Sequence, residues 1–264
     1  MLTKTWPMML VTISWLSASV LCGQVKEEDD TEVLKPIART SEPANTPDLA
    51  EAATLVINFT NQFRKEEELE KVEIDPRLKN AAQEFADYMA RTNRYGHKAN
   101  GTSPAERAKK AGYEFCIVAE NIAYASDSEG FTTDKLAHEI VDGWKASTGH
   151  RKNMLDPDVT EIGVALAQGG KNGYVFAVQM FGRPKSKVLE FKITNESQSP
   201  VKYQMGERTL TLAPGHTRTH QVCRQRDLAF RFPESSGKEE TVEPRNGDHF
   251  IVTKKGDELQ LRKE

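Results

Sequence analysis

Apolar residues recur at every third or fourth position in three segments of the first two thirds of the chain, the spacing that predicts amphipathic helices. The first segment follows the start signal Thr46-Pro47-Asp48, with Pro47 expected at the first helical position. The second follows Asp75-Pro76, and Thr133 is expected to cap the third. The three apolar stripes are Leu55, Val56, Phe59 and Phe63; then Leu78, Ala81, Ala82, Phe85, Tyr88 and Met89; then Leu136, Ala137, Ile140, Val141 and Trp144.

The pattern changes to alternation after these helices. Ile162, Val164 and Leu166 alternate with smaller residues, a GGKNG turn follows, and residues 174–181 form a continuous apolar and aromatic run. This combination is typical of a β-hairpin within a sheet that helices cover. Helices interleaved with a predominantly antiparallel sheet predict an α+β sandwich.

Residues 185–264 contain only short runs with apolar alternation, separated by turn sequences such as NES, APG and RNGD. This pattern predicts a small all-β module, sandwich-like in architecture. The helical part and this module give two folded domains, at 48–184 and 185–264, which is consistent with the chain length of 264 residues.

The N-terminal 23 residues contain one lysine, an apolar run of about a dozen residues and then small residues, which is typical of a secretory signal peptide. Cleavage is expected near Cys22 or Gly23. Acylation of Cys22 would instead anchor the protein to a membrane, but Leu21 occupies a position where a small residue is normal. Residues 24–47 are polar and contain several prolines, which predicts a flexible linker. We therefore expect a protein that is secreted or retained in the cell envelope.

The formal net charge of −3 and the pI near 6.1 provide no overall basic field, which disfavours a nucleic-acid partner. Removal of the leader would leave two cysteines, Cys116 and Cys223. A disulfide between them would stabilise the fold by roughly 4–5 kcal/mol in the chain-entropy model. Two buried thiols that never meet are the alternative, and the sequence does not choose between them.

The stretch from Ala119 to Leu155 holds the densest set of polar candidates. Glu120 lies within an apolar run, so it is expected either to hold a backbone turn or to face a cleft. His97 lies alone in a loop and needs partners before it indicates a site. His138 and Glu139 lie off the apolar stripe and are predicted on a solvated helix face, since Asp142 stands where a zinc-protease H-E-x-x-H helix has its second histidine.

Seven pieces spread in order over residues 50–183 resemble the CAP superfamily, also called SCP/TAPS, and most closely its exported bacterial branch. They are INFTNQFR, DPRLKNAAQEFADYM, RYGHKANGTSPAERAKKAGY, AENIA, DGWKASTGHRKNML, TEIGVAL and VQMFG. The resemblance implies a three-layer α-β-α sandwich with a long cleft, in which many members bring together two histidines and two acidic residues, and some hold a divalent cation.

Carried onto this sequence, the resemblance places His97 and Glu120 at the first histidine and the glutamate of that set. Ser147 stands at the second acidic position and Phe176 at the later histidine, departures that are usual in the bacterial branch, where His150 is supplied instead. The implied cleft residues are His97, Glu120, Asn121, Ser147, His150 and Asn153.

Three functions follow as expectations. The first is a cleft that binds an extracellular ligand, namely a lipid, a cell-wall component or a peptide, with an optional divalent cation such as zinc. The second is a metal-assisted hydrolase, in which His97, Glu120 and His150 would hold zinc and a water molecule or act as an acid–base set. The third is an adhesion or scaffold protein that acts through the C-terminal β module.

Overall fold

The computed structural model describes residues 31–36, 43–169, 173–232, 239–256 and 258–264. The helices are α1 (Leu49–Glu66), α2 (Pro76–Thr92), α3 (Pro104–Lys110), α4 (Thr133–Ala146) and α5 (Thr148–Met154). The strands of the first part are β1 (Glu32–Val33), β2 (Glu73–Ile74), β3 (Arg94–Tyr95), β4 (Phe115–Ala125), β5 (Glu161–Gln168) and β6 (Val175–Pro184).

Side-chain caps start α1 and α2 at residues of the predicted start signals. The Asp48 carboxylate accepts from the N–H groups of Ala50 and Glu51, so α1 begins at Leu49 and not at Pro47. Asp75 accepts from the N–H groups of Arg77 and Leu78 at the start of α2, with Pro76 at the first helical position as expected. The capping box between Ser103 and Glu106 is present at α3.

The expected cap of α4 was wrong by one residue. Thr132, not Thr133, accepts the hydrogen bond from the Lys135 N–H. The Thr133 hydroxyl instead accepts from the Asp48 N–H at 2.9 Å, so it ties the start of α4 to the start of α1. A tertiary contact therefore decided which of two adjacent threonines became the cap.

Three layers form around one four-stranded sheet with the order β2-β5-β6-β4. β6 runs antiparallel to both β5 and β4, as expected of a hairpin and its neighbour, whereas the short β2 pairs with β5 in parallel. The stripes of α1 and α4 pack on one face of the sheet, and the stripe of α2 packs on the other. The predicted α-β-α sandwich is confirmed.

Gly163 on β5 shows how closely α2 lies on the sheet. A Cβ atom at this position would collide with the backbone of Leu78 and Lys79 in the first turn of α2. Only a residue without a side chain permits this approach. Trp144, which the apolar stripe places in the core, is 1% exposed and packs between α4 and the sheet.

The C-terminal segment consists of β7 (Leu189–Asn195), β8 (Val201–Met205), β9 (Arg208–Leu212), β10 (Thr217–Val222), β11 (Leu228–Arg231), β12 (Glu239–Val242), β13 (His249–Lys255) and β14 (Glu258–Lys263). They form two four-stranded sheets, β10-β7-β13-β14 and β12-β11-β8-β9. Phe191, Tyr203, Phe230 and Phe250 contribute to one apolar cluster shared by both sheets. This is the sandwich that the alternating runs predict.

Two features join this β module to the rest of the chain. Cys116 on β4 and Cys223 form a disulfide with a Cα–Cα distance of 5.4 Å. Beside it, the Arg224 guanidinium donates to both Asp156 carboxylate oxygens, at 2.8 and 2.7 Å, and to Asp158 at 3.1 Å. The thiols are therefore bridged, and an ion-pair cluster reinforces the same junction.

The predicted signal peptide, including Cys22, lies outside the described residues. Part of the predicted linker is paired, however: Glu32 and Val33 form a short antiparallel ladder with Tyr95 and Arg94, and Leu34 is buried against the α2 side of the core. Leu34 buries apolar surface that a purely polar tether lacks, whereas Val33 remains exposed. Within the described ranges, no helix is both long and apolar enough to cross a membrane.

Candidate functional site

A buried ionic cluster lies where β4, α3 and the loop before α3 meet. The Glu120 side chain is only 1% exposed. Its Oε1 accepts from Arg107 Nη2 at 2.8 Å and from His97 Nδ1 at 2.9 Å, and its Oε2 accepts from Arg107 Nη2 at 2.6 Å. We call Arg107, Glu120 and His97 the ionic cluster. It compensates the burial of the carboxylate with an opposite charge and direct hydrogen bonds.

Arg107 is the residue that the sequence interpretation missed. Its guanidinium lies 3.6 Å from the centroid of the Phe85 ring and donates to the backbone oxygens of His97 and Thr102. Its Nε–H has no acceptor within the part of the chain that the structure describes. Arg107 thus fixes the loop that carries His97. The signal for it was indirect: a carboxylate inside an apolar run requires a cationic partner.

His97 is the exposed end of the ionic cluster, since 37% of its side chain is accessible. Because the Glu120 carboxylate is an acceptor, Nδ1 is the nitrogen that carries the proton in this contact. The pairing of His97 with Glu120 that the resemblance implied is present. The Glu120 carboxylate bonds to the Arg107 and His97 side chains rather than to a backbone turn, and it does not line the groove described below.

A chain of buried amides runs beside the cluster. Asn121 Nδ2 donates to Gln179 Oε1 at 2.9 Å and to the His150 carbonyl at 3.2 Å. Asn153 Nδ2 donates to Asn121 Oδ1 at 2.9 Å and to the Glu120 carbonyl at 3.1 Å. Asn121 is fully buried. Asn121 and Asn153 therefore hold α5 against β4 and β6.

An open groove of about 400 Å³ lies between β4 and α4. Its residues come from the end of β4, from one side of α4, from α5 and from β3: Tyr95, Ile122, Ala123, Tyr124, Ala125, Glu139, Ile140, Gly143, Trp144, Ser147 and His150. Of the predicted cleft residues, Ser147 and His150 line this groove. His97, Glu120, Asn121 and Asn153 do not line it.

Tyr124 and Glu139 stand out among the groove residues that were not predicted as site residues. Tyr124 is 42% exposed, and its ring makes edge contacts with Tyr95 and Tyr174 at centroid distances of 4.9 and 5.5 Å. Glu139 is exposed, as predicted, but it lies on the wall of the groove rather than on a featureless solvated face. Neither residue is distinctive in sequence, because each acquires its position only from the packing of α4 beside β4.

His150 is the histidine that lines the groove, and its surroundings shift its pKa. Partial burial, and secondly the proximity of His97, lower the pKa of His150 below its usual value near 6.5. Both effects disfavour the imidazolium form, so His150 is neutral at pH 7. Ser147 precedes it as the N-terminal cap position of α5, but its side chain makes no capping hydrogen bond.

The three predicted metal ligands do not fit a zinc site as they are arranged. Both Glu120 oxygens accept hydrogen bonds from Arg107, a buried cation that would repel a second one. Among the described residues, no group of three His, Cys, Asp or Glu side chains is placed to hold a metal ion. An open zinc site needs three protein ligands that converge with free lone pairs, and Arg107 and His97 already occupy three of the about four lone-pair sites of the Glu120 carboxylate.

Comparison with known proteins connects the first domain to a family. The model of the cysteine-rich secretory protein family, CAP, matches residues 57–181. In sequence, the chain is 28% identical over 183 residues to the protein YkwD of Bacillus subtilis (strain 168), an alignment that covers 61% of this chain and 67% of that protein.

Two solved structures are similar to about half of the chain. An outer surface protein from Borrelia burgdorferi is 24% identical, with a TM-score of 0.46, over 52% of this chain and 96% of that one. An extracellular protein containing a SCP domain from Bacillus anthracis str. Ames is 26% identical, with a TM-score of 0.44, over 54% of this chain and 45% of that one.

Proposed function

Since residues 57–181 form a domain of the CAP family, we propose that the protein is exported and binds an extracellular ligand in the groove between β4 and α4. The ligand is a lipid, cell-wall or peptide component of the cell surface. The observation that carries the proposal is the groove itself: Tyr124, Glu139 and His150 meet in one open cavity. Exposed aromatic rings beside a few polar groups are typical of binding sites.

Export is supported by two independent observations. The sequence predicts a leader over residues 1–23, and Cys116 and Cys223 are bridged. Disulfides persist in oxidising compartments and are rare in the cytosol. A leader and a disulfide both favour a protein that works outside the cytoplasm.

Binding is favoured over hydrolysis because of how the ionic cluster is made. A hydrolase using Glu120 needs that carboxylate to reach a proton or a metal-bound water. Here Arg107 and His97 already engage the Glu120 carboxylate through hydrogen bonds. Ser147 and His150, by contrast, line the groove, so their polar groups can contact a ligand.

The test is co-sedimentation of the full chain without its predicted leader with purified bacterial cell-wall sacculi and, separately, with phosphatidylglycerol vesicles. The blocking variant is Gly143→Leu, because a Cβ there meets no atom within 4 Å and its side chain would enter the groove. The control is Gly149→Leu, which is equally unhindered but lies outside the groove. We expect at least one material to bind wild type and Gly149→Leu, and to bind Gly143→Leu at least tenfold more weakly.

Two outcomes would overturn the proposal. One is the absence of binding to both materials and to the displayed peptides described below. The other is binding that Gly143→Leu leaves unchanged, which would assign the ligand to another surface, such as the C-terminal β module.

A further inference from the structure

The floor of the groove is the free edge of the central sheet. β4 is the terminal strand in the order β2-β5-β6-β4. Four consecutive β4 residues, 122–125, line the groove. Successive side chains of a strand point to opposite faces, so a cavity that touches four in a row runs along the strand edge rather than over one face. Gly143 on α4 and Tyr95 on β3 stand on the two sides of this edge.

The hydrogen bonds of β4 show which peptide groups point outward. The Glu120 carbonyl accepts from Asn153 Nδ2 at 3.1 Å. The Ile122 carbonyl accepts from Tyr95 Oη and from Trp144 Nε1, each at 3.1 Å. These donors come from beside the sheet, so residues 120 and 122 direct their carbonyl groups away from β6. Side chains therefore cap the first two outward positions of the edge.

Tyr124 occupies the next outward position. In an antiparallel pair the peptide groups alternate between facing the partner strand and facing away from it, so Tyr124 shares the orientation of residues 120 and 122. Among the hydrogen bonds of the described residues, no side chain caps the Tyr124 peptide as Tyr95 and Trp144 cap Ile122. Its N–H and C=O are thus presented at the groove floor, in the manner of an edge strand that can accept another.

We propose that the groove binds an extended basic peptide, which adds to β4 as a further strand and pairs with both backbone groups of Tyr124. The inference rests on the proposed function and specifies its ligand. Strand addition obtains affinity from main-chain hydrogen bonds and selectivity from alternate side chains. Among the described residues that line the groove, Glu139 is the one acidic side chain, and it selects a lysine or arginine. Gly143 leaves space for the peptide backbone on the α4 side.

The experiment uses a random heptapeptide library displayed on phage. It is panned against the full chain without its predicted leader, with Gly143→Leu as the counter-selection. Recovered peptides are synthesised, and their Kd values are measured by fluorescence anisotropy. We expect recovered peptides rich in Lys and Arg, at least tenfold weaker binding to Gly143→Leu, and unchanged binding to Gly149→Leu. Glu139→Gln should weaken binding several-fold and reduce its salt dependence.

Two measurements test the strand pairing itself. Methylation of single peptide nitrogens should weaken binding at least tenfold at one position, where the peptide N–H donates to the Tyr124 carbonyl, because side chains already cap the Glu120 and Ile122 carbonyls. Amide hydrogen exchange of Tyr124 should slow when the peptide is bound. Uniform tolerance of N-methylation, or unchanged exchange at Tyr124, would overturn the inference.

The library also separates the two proposals. If no peptide is recovered while sacculi or vesicles bind in a manner that Gly143→Leu abolishes, the strand-addition inference fails and the proposed function stands. If neither peptides nor envelope materials bind, both fail.

Discussion

The ionic cluster and the groove both include residues of β4, but their polar groups differ in environment. In the cluster, the Glu120 carboxylate is buried and engaged by Arg107 and His97. In the groove, Tyr124, Glu139 and His150 are open to solvent to different degrees, and their polar groups face a cavity. A charged side chain that is buried against other side chains of the protein thus stabilises the fold, whereas one that faces a cavity is a candidate for ligand binding.

The largest effect should come from removing the cation of the cluster. Arg107→Met leaves the Glu120 carboxylate buried without its main partner, which is expected to lower the free energy of unfolding by about 3–5 kcal/mol. Urea unfolding followed by circular dichroism measures it. Lys110→Met, which removes the exposed pair with Glu84, is the matched control and should cost under about 1 kcal/mol. Equal losses in the two variants would show that Glu120 is not the structural element described.

A smaller effect is expected at the boundary between the two regions. Asn121→Ala removes the donor to Gln179 and to the His150 carbonyl and leaves buried polar atoms without partners. The expected loss is about 1–3 kcal/mol by the same urea method. Because Asn121 supports α5, the variant should also disturb the groove, visible as an altered NMR resonance of the His150 ring. A stable variant with an unchanged His150 signal would separate the groove from the amide chain.

A weaker, pH-dependent effect is expected within the groove. The pKa of His150 is lowered in the folded protein, so the unfolded state binds more protons in the window below about pH 6.5. The contribution of His150 to stability should therefore be complete above that pH and fall as pH is lowered through the window. The Tm of His150→Gln should therefore decrease less steeply than that of wild type between about pH 7 and pH 5. Identical slopes for wild type and variant would contradict the assigned burial of the imidazole.

The smallest expected effect is that of zinc. Because Arg107 already engages Glu120, added Zn²⁺ should leave the Tm unchanged, whereas a ligand bound only by the folded state raises it in proportion to the logarithm of its concentration. A concentration-dependent rise that disappears in His97→Gln and His150→Gln would instead establish the metal site that the family resemblance implies.

Much of the fold could be predicted from the sequence because its signals are local. Periodic stripes placed α1, α2 and α4, the start signals at Asp48 and Asp75 marked two helix starts, and alternation marked the β5–β6 hairpin and the β module. The predicted boundaries failed where a distant residue intervened. Thr133 bonds to the start of α1, so Thr132 became the cap of α4, and β1 forms only because β3 lies beside it.

The sequence by itself therefore determined the helices, the hairpin and the sandwich, and it showed the resemblance of residues 50–183 to the CAP superfamily, since each depends on spacing over a few residues or on ordered motifs. It also identified His97, Glu120 and His150 as unusual. Only the tertiary structure decided that Glu120 faces Arg107, that Cys116 meets Cys223, and that Glu139 and Tyr124 share a groove. These relations join residues that are distant in sequence or lie on different elements, and no local preference encodes which side chains meet when the layers pack.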